Sequence, residues 1–176
     1  MLKLVTFEDL AAMLDLQKES IDEYPSLKLL ISSVYVAIES YTGRVLEFDT
    51  YTERVDVRNR LVPVQAYPIT AVTAVIADND PTTDMATTCT RMVGHVQLPR
   101  EVNSFVSITY SGGFEDAPAA IKRAALMQTL HEWQRKDQLG AQNVTNDGGS
   151  VLWPEFGLLK EVRRLLDPFV HPMKYI

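Results

Sequence analysis

The sequence predicts an α+β fold, a small bundle of about four helices with an antiparallel β-rich insert between the second and third helices. Three observations lead there. Apolar residues recur with the helical period up to Gly43 and again from the Asp116 region onward. Between these stretches, from Tyr51 to Tyr110, the period falls to two. The insert also lacks the long crossover segments that parallel strands need.

Thr6 reads as an N-cap with Asp9 in a capping-box-like position, and Phe7, Leu10, Ala11 and Leu14 then line one face of a short first helix. Pro25 stands near the start of a long second helix. At the α-helical period, Leu27, Leu30, Ile31, Val34, Ala37, Ile38 and Tyr41 share one face, with Ser32, Ser33, Glu39 and Ser40 off it. Gly43 provides a left-handed stop, and Arg44 is placed to meet the last carbonyls. Leu29 and Val36 fall nearly opposite the main stripe. Such a second apolar patch is covered either by a β-layer of the same chain or by another subunit.

In residues 51–58, Tyr51, Glu53, Val55 and Val57 alternate with Thr52, Arg54, Asp56 and Arg58, as in a half-exposed strand. Residues 61–67 continue in extended style, with Pro63 marking an edge or a bulge. Residues 69–77 are rich in β-branched side chains, and Tyr67-Pro68 favours an extended start. Residues 78–88 read as a polar loop. Residues 89–93 and 95–98 are short strands about Gly94, and Val106, Ile108 and Tyr110 alternate with Ser107 and Thr109 before Gly112-Gly113.

The helix expected from about Asp116 to Asp137 changes face along its length. Ala117, Ala120, Ile121, Ala124 and Ala125 lie on one side, and Leu126, Leu130 and Trp133 almost opposite. Two intrachain neighbours, or one neighbour and an adjacent subunit, would each account for this. Residues 138–153 form a Gly-, Asn-, Gln- and Ser-rich connection, longer than the usual helix–helix link. A last helix follows Pro154, carrying Leu158, Leu159, Val162, Leu165 and Leu166, and Pro168 closes it. The apolar, aromatic segment 168–176 cannot continue as helix through Pro172 and needs a docking place. The expected organisation is a single domain: N-terminal helices 1–44, β-rich insert 45–113, long helix 114–137, flexible loop 138–153, C-terminal helix 154–167 and tail 168–176.

Composition narrows function more by exclusion than by indication. A chain of 176 residues, 46% hydrophobic and 23% charged, has material for a core and is not a disordered polymer. Its apolar runs fall short of the roughly 18–20 residues that span a bilayer, and its start does not read as a secretion signal, so no membrane is expected. Cys89 is the only cysteine, which excludes an intrachain disulfide. The net charge of −6 argues against phosphate gripping, since the small clusters Arg54/Arg58/Arg60, Lys122/Arg123, Arg135/Lys136 and Lys160/Arg163/Arg164 are interspersed with acids. An acidic surface instead suits a conduit through which DNA slides.

No catalytic centre is expected. His95, His131 and His171 fall on separate elements without metal-ligand spacing. Asp78, Asp80 and Asp84 suggest a calcium loop only faintly, because the pattern would put glycine at Thr83 and glutamate at Cys89. Glu115 and Asp116 complement a helix dipole. Phosphate-binding and nucleophile-elbow motifs are absent, so no cofactor or metal is expected.

The run IESYTGRVL, the strand YTERVDV, the segment PITAVTAV and the block TYSGGFEDAPAAIKRAALMQTLHEWQRKD stand in this order over roughly residues 20–137. In that ordered combination the chain resembles the head–tail connector (adaptor, or head-completion) proteins of tailed bacteriophages, though its middle and C-terminal parts are longer than in short members. The resemblance implies a structural virion protein of the neck. It further implies a ring of about a dozen subunits that joins the portal vertex to the tail and extends the DNA channel. It implies as partners other copies of the chain, the portal protein, a tail-side neck, tail-completion or tail-terminator protein, and double-stranded DNA passing without sequence-specific binding. On that reading Leu29, Val36, Leu126, Leu130 and Trp133 are subunit-interface candidates. Phe169, Val170, His171, Pro172, Met173, Lys174, Tyr175 and Ile176 are portal-docking candidates. Gln142, Asn143, Thr145, Asn146, Asp147 and Ser150 are channel-loop candidates. The alternative is a small-ligand or regulatory binding domain with its pocket between the insert and the helices.

Overall fold

The computed structural model describes residues 4–14, 22, 24–135, 143–146, 149–152 and 157–172. Four helices, α1 (Phe7–Leu14), α2 (Pro25–Thr42), α3 (Ala119–Gln134) and α4 (Lys160–Leu166), accompany antiparallel sheets, and seven strands separate α2 from α3. These are β1 (Asp49–Val57), β2 (Leu61–Pro63), β3 (Ile69–Ala77), β4 (Asp80–Asp84), β5 (Thr90–Met92), β6 (His95–Gln97) and β7 (Ser104–Gly112). The fold is thus the α+β arrangement the periodicities predict. The chain forms two compact units, one of Thr42–Ala117 with Phe169–Ile176, the other of Lys3–Tyr41 with Pro118–Pro168.

In the β-rich unit, β7 is the central strand. It pairs antiparallel with β1 along nine residues and with β3 on its other edge, and β4 extends that sheet beyond β3. A second sheet runs β2-β6-β5, so Pro63 sits on an edge strand where its missing N–H costs no ladder bond. Val106, Ile108 and Tyr110 of β7 are fully buried with Val57, Val62, Val75, Val96 and Leu98. The period-two rows of the sequence are therefore the rows that meet in this core.

One acid stands in the inward row of β1. Glu53 accepts a hydrogen bond from the Tyr110 hydroxyl, and its carboxylate also accepts the Gln65 N–H at 3.2 Å. The Tyr110 oxygen in turn accepts the Ala66 N–H at 3.0 Å. Burial first, and then the Glu53 carboxylate, push the Tyr110 hydroxyl well above its ordinary pKa. A hydroxyl, a half-buried acid and a backbone N–H thus satisfy one another at the edge of this core.

Gly112 and Gly113 do more than end β7. A Cβ on Gly112 would overlap the Ala66 carbonyl oxygen, and one on Gly113, whose φ is +104°, would overlap that of Glu47. Two backbones cross here at a separation only glycine permits.

The acidic stretch expected as a loop carries β4 instead. It turns back on β3, with Asp80 opposite Ala77 and Asp84 opposite Ile76. The Asp84 carboxylate accepts the N–H groups of Val75 at 2.8 Å and Ala86 at 2.9 Å, and Asp80 pairs with Arg100. Polar side chains here replace ladder bonds, which is why apolar periodicity did not mark the strand.

In the helical unit, Thr6 and Asp9 form the reciprocal cap: each backbone N–H reaches the other's side-chain oxygen at 3.2 Å. Leu27, Val34 and Ile38 are buried on α2, Tyr35 widens the buried face, and Gly43 has φ +67°. The predicted change of face on α3 is not what the helix shows. Its buried row runs Ile121, Ala124, Ala125, Gln128 and Thr129. The row continues straight, but its second half is polar. Gln128, 1% exposed, donates to Glu132 at 2.7 Å and to the Gly157 carbonyl at 3.2 Å, and accepts the Leu159 N–H at 3.0 Å. An amide that fastens the approach to α4 occupies a position apolar patterning reserves for leucine. Residues 138–153 were expected to be a flexible loop, yet β8 (Asn143–Asn146) and β9 (Gly149–Leu152) pair there as a hairpin. The Asp147-Gly148 dipeptide between them is a strong hairpin signal in the sequence.

Two stability outcomes follow from the β-rich unit. Tyr110→Phe leaves the Ala66 N–H without its acceptor and should cost about 1–3 kcal/mol, a drop of several degrees in Tm by calorimetry. An unchanged Tm would show that the node contributes nothing. Asp84→Asn should lower Tm at neutral pH. The N–H of Val75, then that of Ala86, hold the Asp84 carboxyl below the usual aspartate range. Its contribution is therefore complete above the unfolded value and is lost as pH falls through the lower folded value. Parent and variant should converge in strong acid; a Tm gap that persists there would refute the assignment.

Candidate functional site

Residues suited to assembly gather at two places, one in each unit. In the helical unit, Leu29 and Val36 are 73% and 63% exposed on α2. Seven residues apart, they lie on one side of the helix about 10 Å from each other. Ser33 and Ser40, both exposed, lie on the same side. Two large aliphatic side chains with Ser33 between them and Ser40 beyond leave a low-relief strip. Leu126, Leu130 and Trp133 are half-buried instead, and Trp133 meets the Tyr24 ring edge-on at 6.4 Å while Tyr24 lies 6.2 Å from Phe7. These three are thus partly covered within their own unit. On α4, Lys160, Arg163 and Arg164 are exposed, and Arg163 donates from Nε to the Leu158 carbonyl at 2.8 Å.

In the β-rich unit the site is a strap, residues 169–172. The Phe169 ring meets Phe114 edge-on at 6.4 Å, and its carbonyl accepts the Tyr67 hydroxyl at 3.4 Å. His171, 7% exposed, donates its backbone N–H to the Thr42 carbonyl at 2.7 Å and bonds the Val64 carbonyl through Nε2 at 2.9 Å. An acceptor on that nitrogen requires it to carry the proton. The imidazole also stands edge-on to Tyr67, 5.3 Å between centroids. Thr42 ends α2, so this N–H serves one of the carbonyls a helix C-terminus leaves unpaired. Pro172 lies over Gly94, where a Cβ would come within 3.0 Å of its ring. Three of the eight tail residues singled out for docking, Phe169, His171 and Pro172, therefore rest on their own chain, and Val170 is half-buried. Met173, Lys174, Tyr175 and Ile176 lie outside the described residues.

Beside the strap sits a residue that sequence reasoning placed elsewhere. Arg44, expected to meet the last carbonyls of α2, is 5% exposed, its Cζ 3.4 Å from the Tyr67 ring centroid and 4.8 Å from that of Phe114. Burial lowers its pKa, against a smaller opposing effect from Tyr67. The signal in the sequence was the setting, an arginine between Gly43 and the apolar pair Val45-Leu46.

Of the channel-loop candidates, Asn143, Thr145 and Asn146 lie on β8 and Ser150 on β9, while Gln142 and Asp147 fall outside the described residues. Among the described residues no group of three or more His, Cys, Asp or Glu could hold a metal ion. No helix among them is long and apolar enough to cross a membrane. Burial raises the pKa of the Cys89 thiol, which donates to the Ala86 carbonyl at 3.1 Å, and this is opposite to the shift a nucleophile needs. Burial, then Arg135, lowers the pKa of His131.

No curated protein sequence matches the chain. Among solved structures, it is similar to a chain from the neck of an empty gene transfer agent particle computed with C6 symmetry. The TM-score is 0.58 at 17% identity, covering 92% of this chain and 89% of that one. It is likewise similar to a chain in the virion of a native gene transfer agent particle, with TM-score 0.58 at 15% identity, covering 96% and 91%. At such identities the likeness establishes a shared fold. The family model for head completion proteins matches residues 3–169, both units nearly in full. The chain belongs to the head completion protein family.

Proposed function

We propose that this protein is a structural subunit of the particle neck, acting by binding rather than by catalysis. Copies of it form a ring that joins the portal vertex to a tail-side neck, tail-completion or tail-terminator protein and prolongs the DNA channel. The observation that carries the ring is the strip on α2. Leu29 and Val36 are exposed on a helix whose other large apolar side chains are buried or half-buried, and contact with a neighbouring copy removes them from water. Family membership over residues 3–169 and the fold shared with a neck chain support the location. That neck was computed with C6 symmetry, and a ring of about a dozen copies is a multiple of six. Double-stranded DNA passes such a ring without being read. The net charge of −6 and the near-neutral composition of the β8–β9 hairpin suit weak contact with phosphate. Portal attachment is assigned to residues 173–176, beyond the strap.

Replacing Leu29 and Val36 together by aspartate should abolish ring formation, read by light scattering and by negative stain of particle necks. The Tm of the isolated subunit should move by no more than about 1–2 °C, as for other surface changes. A parallel fall in Tm and assembly would make the strip core rather than interface. Truncation after Pro172 keeps Phe169 and His171 in place, so it should leave Tm unchanged while removing portal binding. Truncation after Asp167 should lower Tm as well. Portal binding that survives loss of residues 173–176 would move the attachment surface elsewhere.

A further inference from the structure

The side chain of Arg44 is nearly sealed from water, and two of its nitrogens, Nε and Nη2, have no hydrogen-bond partner among the described residues. A guanidinium stays charged at any working pH, so these are charged donors held out of solvent with nothing to donate to. They are also a particular pair. Nε–H and one terminal N–H lie parallel along one edge of the group, the fork onto which the two oxygens of a carboxylate fit. Tyr67 and Phe114 hold the guanidinium through their rings, which leaves Nε and Nη2 without an acceptor.

The same two rings carry the strap. Phe169 packs on Phe114, and His171 packs on Tyr67, whose hydroxyl also reaches the Phe169 carbonyl. Residues 169–172 and the buried fork therefore share their supports, and moving the strap changes the surroundings of Arg44. We propose that Arg44 is a receptor for a carboxylate borne by another protein of the neck, an Asp or Glu side chain that enters as residues 169–172 are displaced. A free small acid gains too little to displace a strap held by two aromatic contacts and three hydrogen bonds, whereas a protein segment brings contact area with its charge. The proposal rests on the reading of this chain as a neck subunit.

The test compares the full-length parent with Arg44→Met and Arg44→Lys. Methionine keeps most of the volume and removes the unpartnered charge, so the isolated Arg44→Met subunit should melt at the parent's Tm or above it. Its incorporation into particles should fall about tenfold or more, the scale of one lost charge-assisted fork. Arg44→Lys, which keeps charge but not the fork, should fall as well, though less. A structure of the assembled neck should place carboxylate oxygens on Nε and Nη2. A lower Tm for Arg44→Met would make Arg44 a structural residue and overturn the proposal, as would parental incorporation of that variant. Titration with sodium acetate at constant ionic strength covers the other source. A saturable rise in Tm of the parent alone would assign the fork to a small acid and overturn a protein-borne one. If the parent itself fails to enter particles, the neck reading falls, and the sign of the Tm change on Arg44→Met still decides whether the fork is an unfilled receptor.

Discussion

Strand β7 has neighbours on both edges, and the arrangement of the β-rich unit depends on pairing the polar groups that this strand and its surroundings bury. Its backbone is served by β1 and β3. The side chain at its C-terminal end, Tyr110, reaches past the ladder to the Ala66 N–H, where the chain has left β2 and not yet joined β3. Glu53 completes the node, and Gly112 and Gly113 let the chain cross Ala66 and Glu47 directly after it. The turn from β2 into β3 and the step from β7 toward α3 thus hang on one short stretch, Tyr110 to Gly113.

Legibility followed chemistry. Where burial is achieved by apolar side chains, the pattern is in the sequence: the rows of β1 and β7, the stripe of α2, the reciprocal cap at Thr6 and the glycine stop at Gly43 could all be read directly. Where burial is achieved by polar groups that satisfy one another, it was not. Gln128 and Thr129 continue the buried row of α3, so an apolar reading followed Leu126, Leu130 and Trp133 to another face. Asp84 supplies ladder-like bonds with its side chain, so β4 read as a loop. Arg44 read as a partner for the last carbonyls of its helix, and its burial against Tyr67 and Phe114 is a tertiary contact that helix periodicity does not encode. The exposed strip at Leu29 and Val36 was visible from sequence because it breaks the amphipathic rule of its own helix.

Surface charge is paired locally in both units, as Lys28 with Asp22 shows on the helical one. On the β-rich unit, Arg54 pairs with Asp78, Arg58 with Asp56 and Arg100 with Asp80, all at the surface. Pairs so exposed add little to stability but leave the surface locally neutral, which restrains non-specific adhesion to a polyanion. Arg44 stands apart from this pattern. It is the arginine enclosed with aromatic rings rather than with acids.

The β-rich unit is discontinuous in the chain, since residues 118–168 intervene between its main body and the strap that lies over Tyr67, Val64 and Gly94. This has a consequence for synthesis. The seven strands can leave the ribosome and pair while α4 is still being translated, but the bonds to the carbonyls of Val64 and Thr42 wait for His171. A nascent chain that has not yet reached His171 therefore lacks the donors that meet these two carbonyls and the rings that pack on Tyr67 and Phe114.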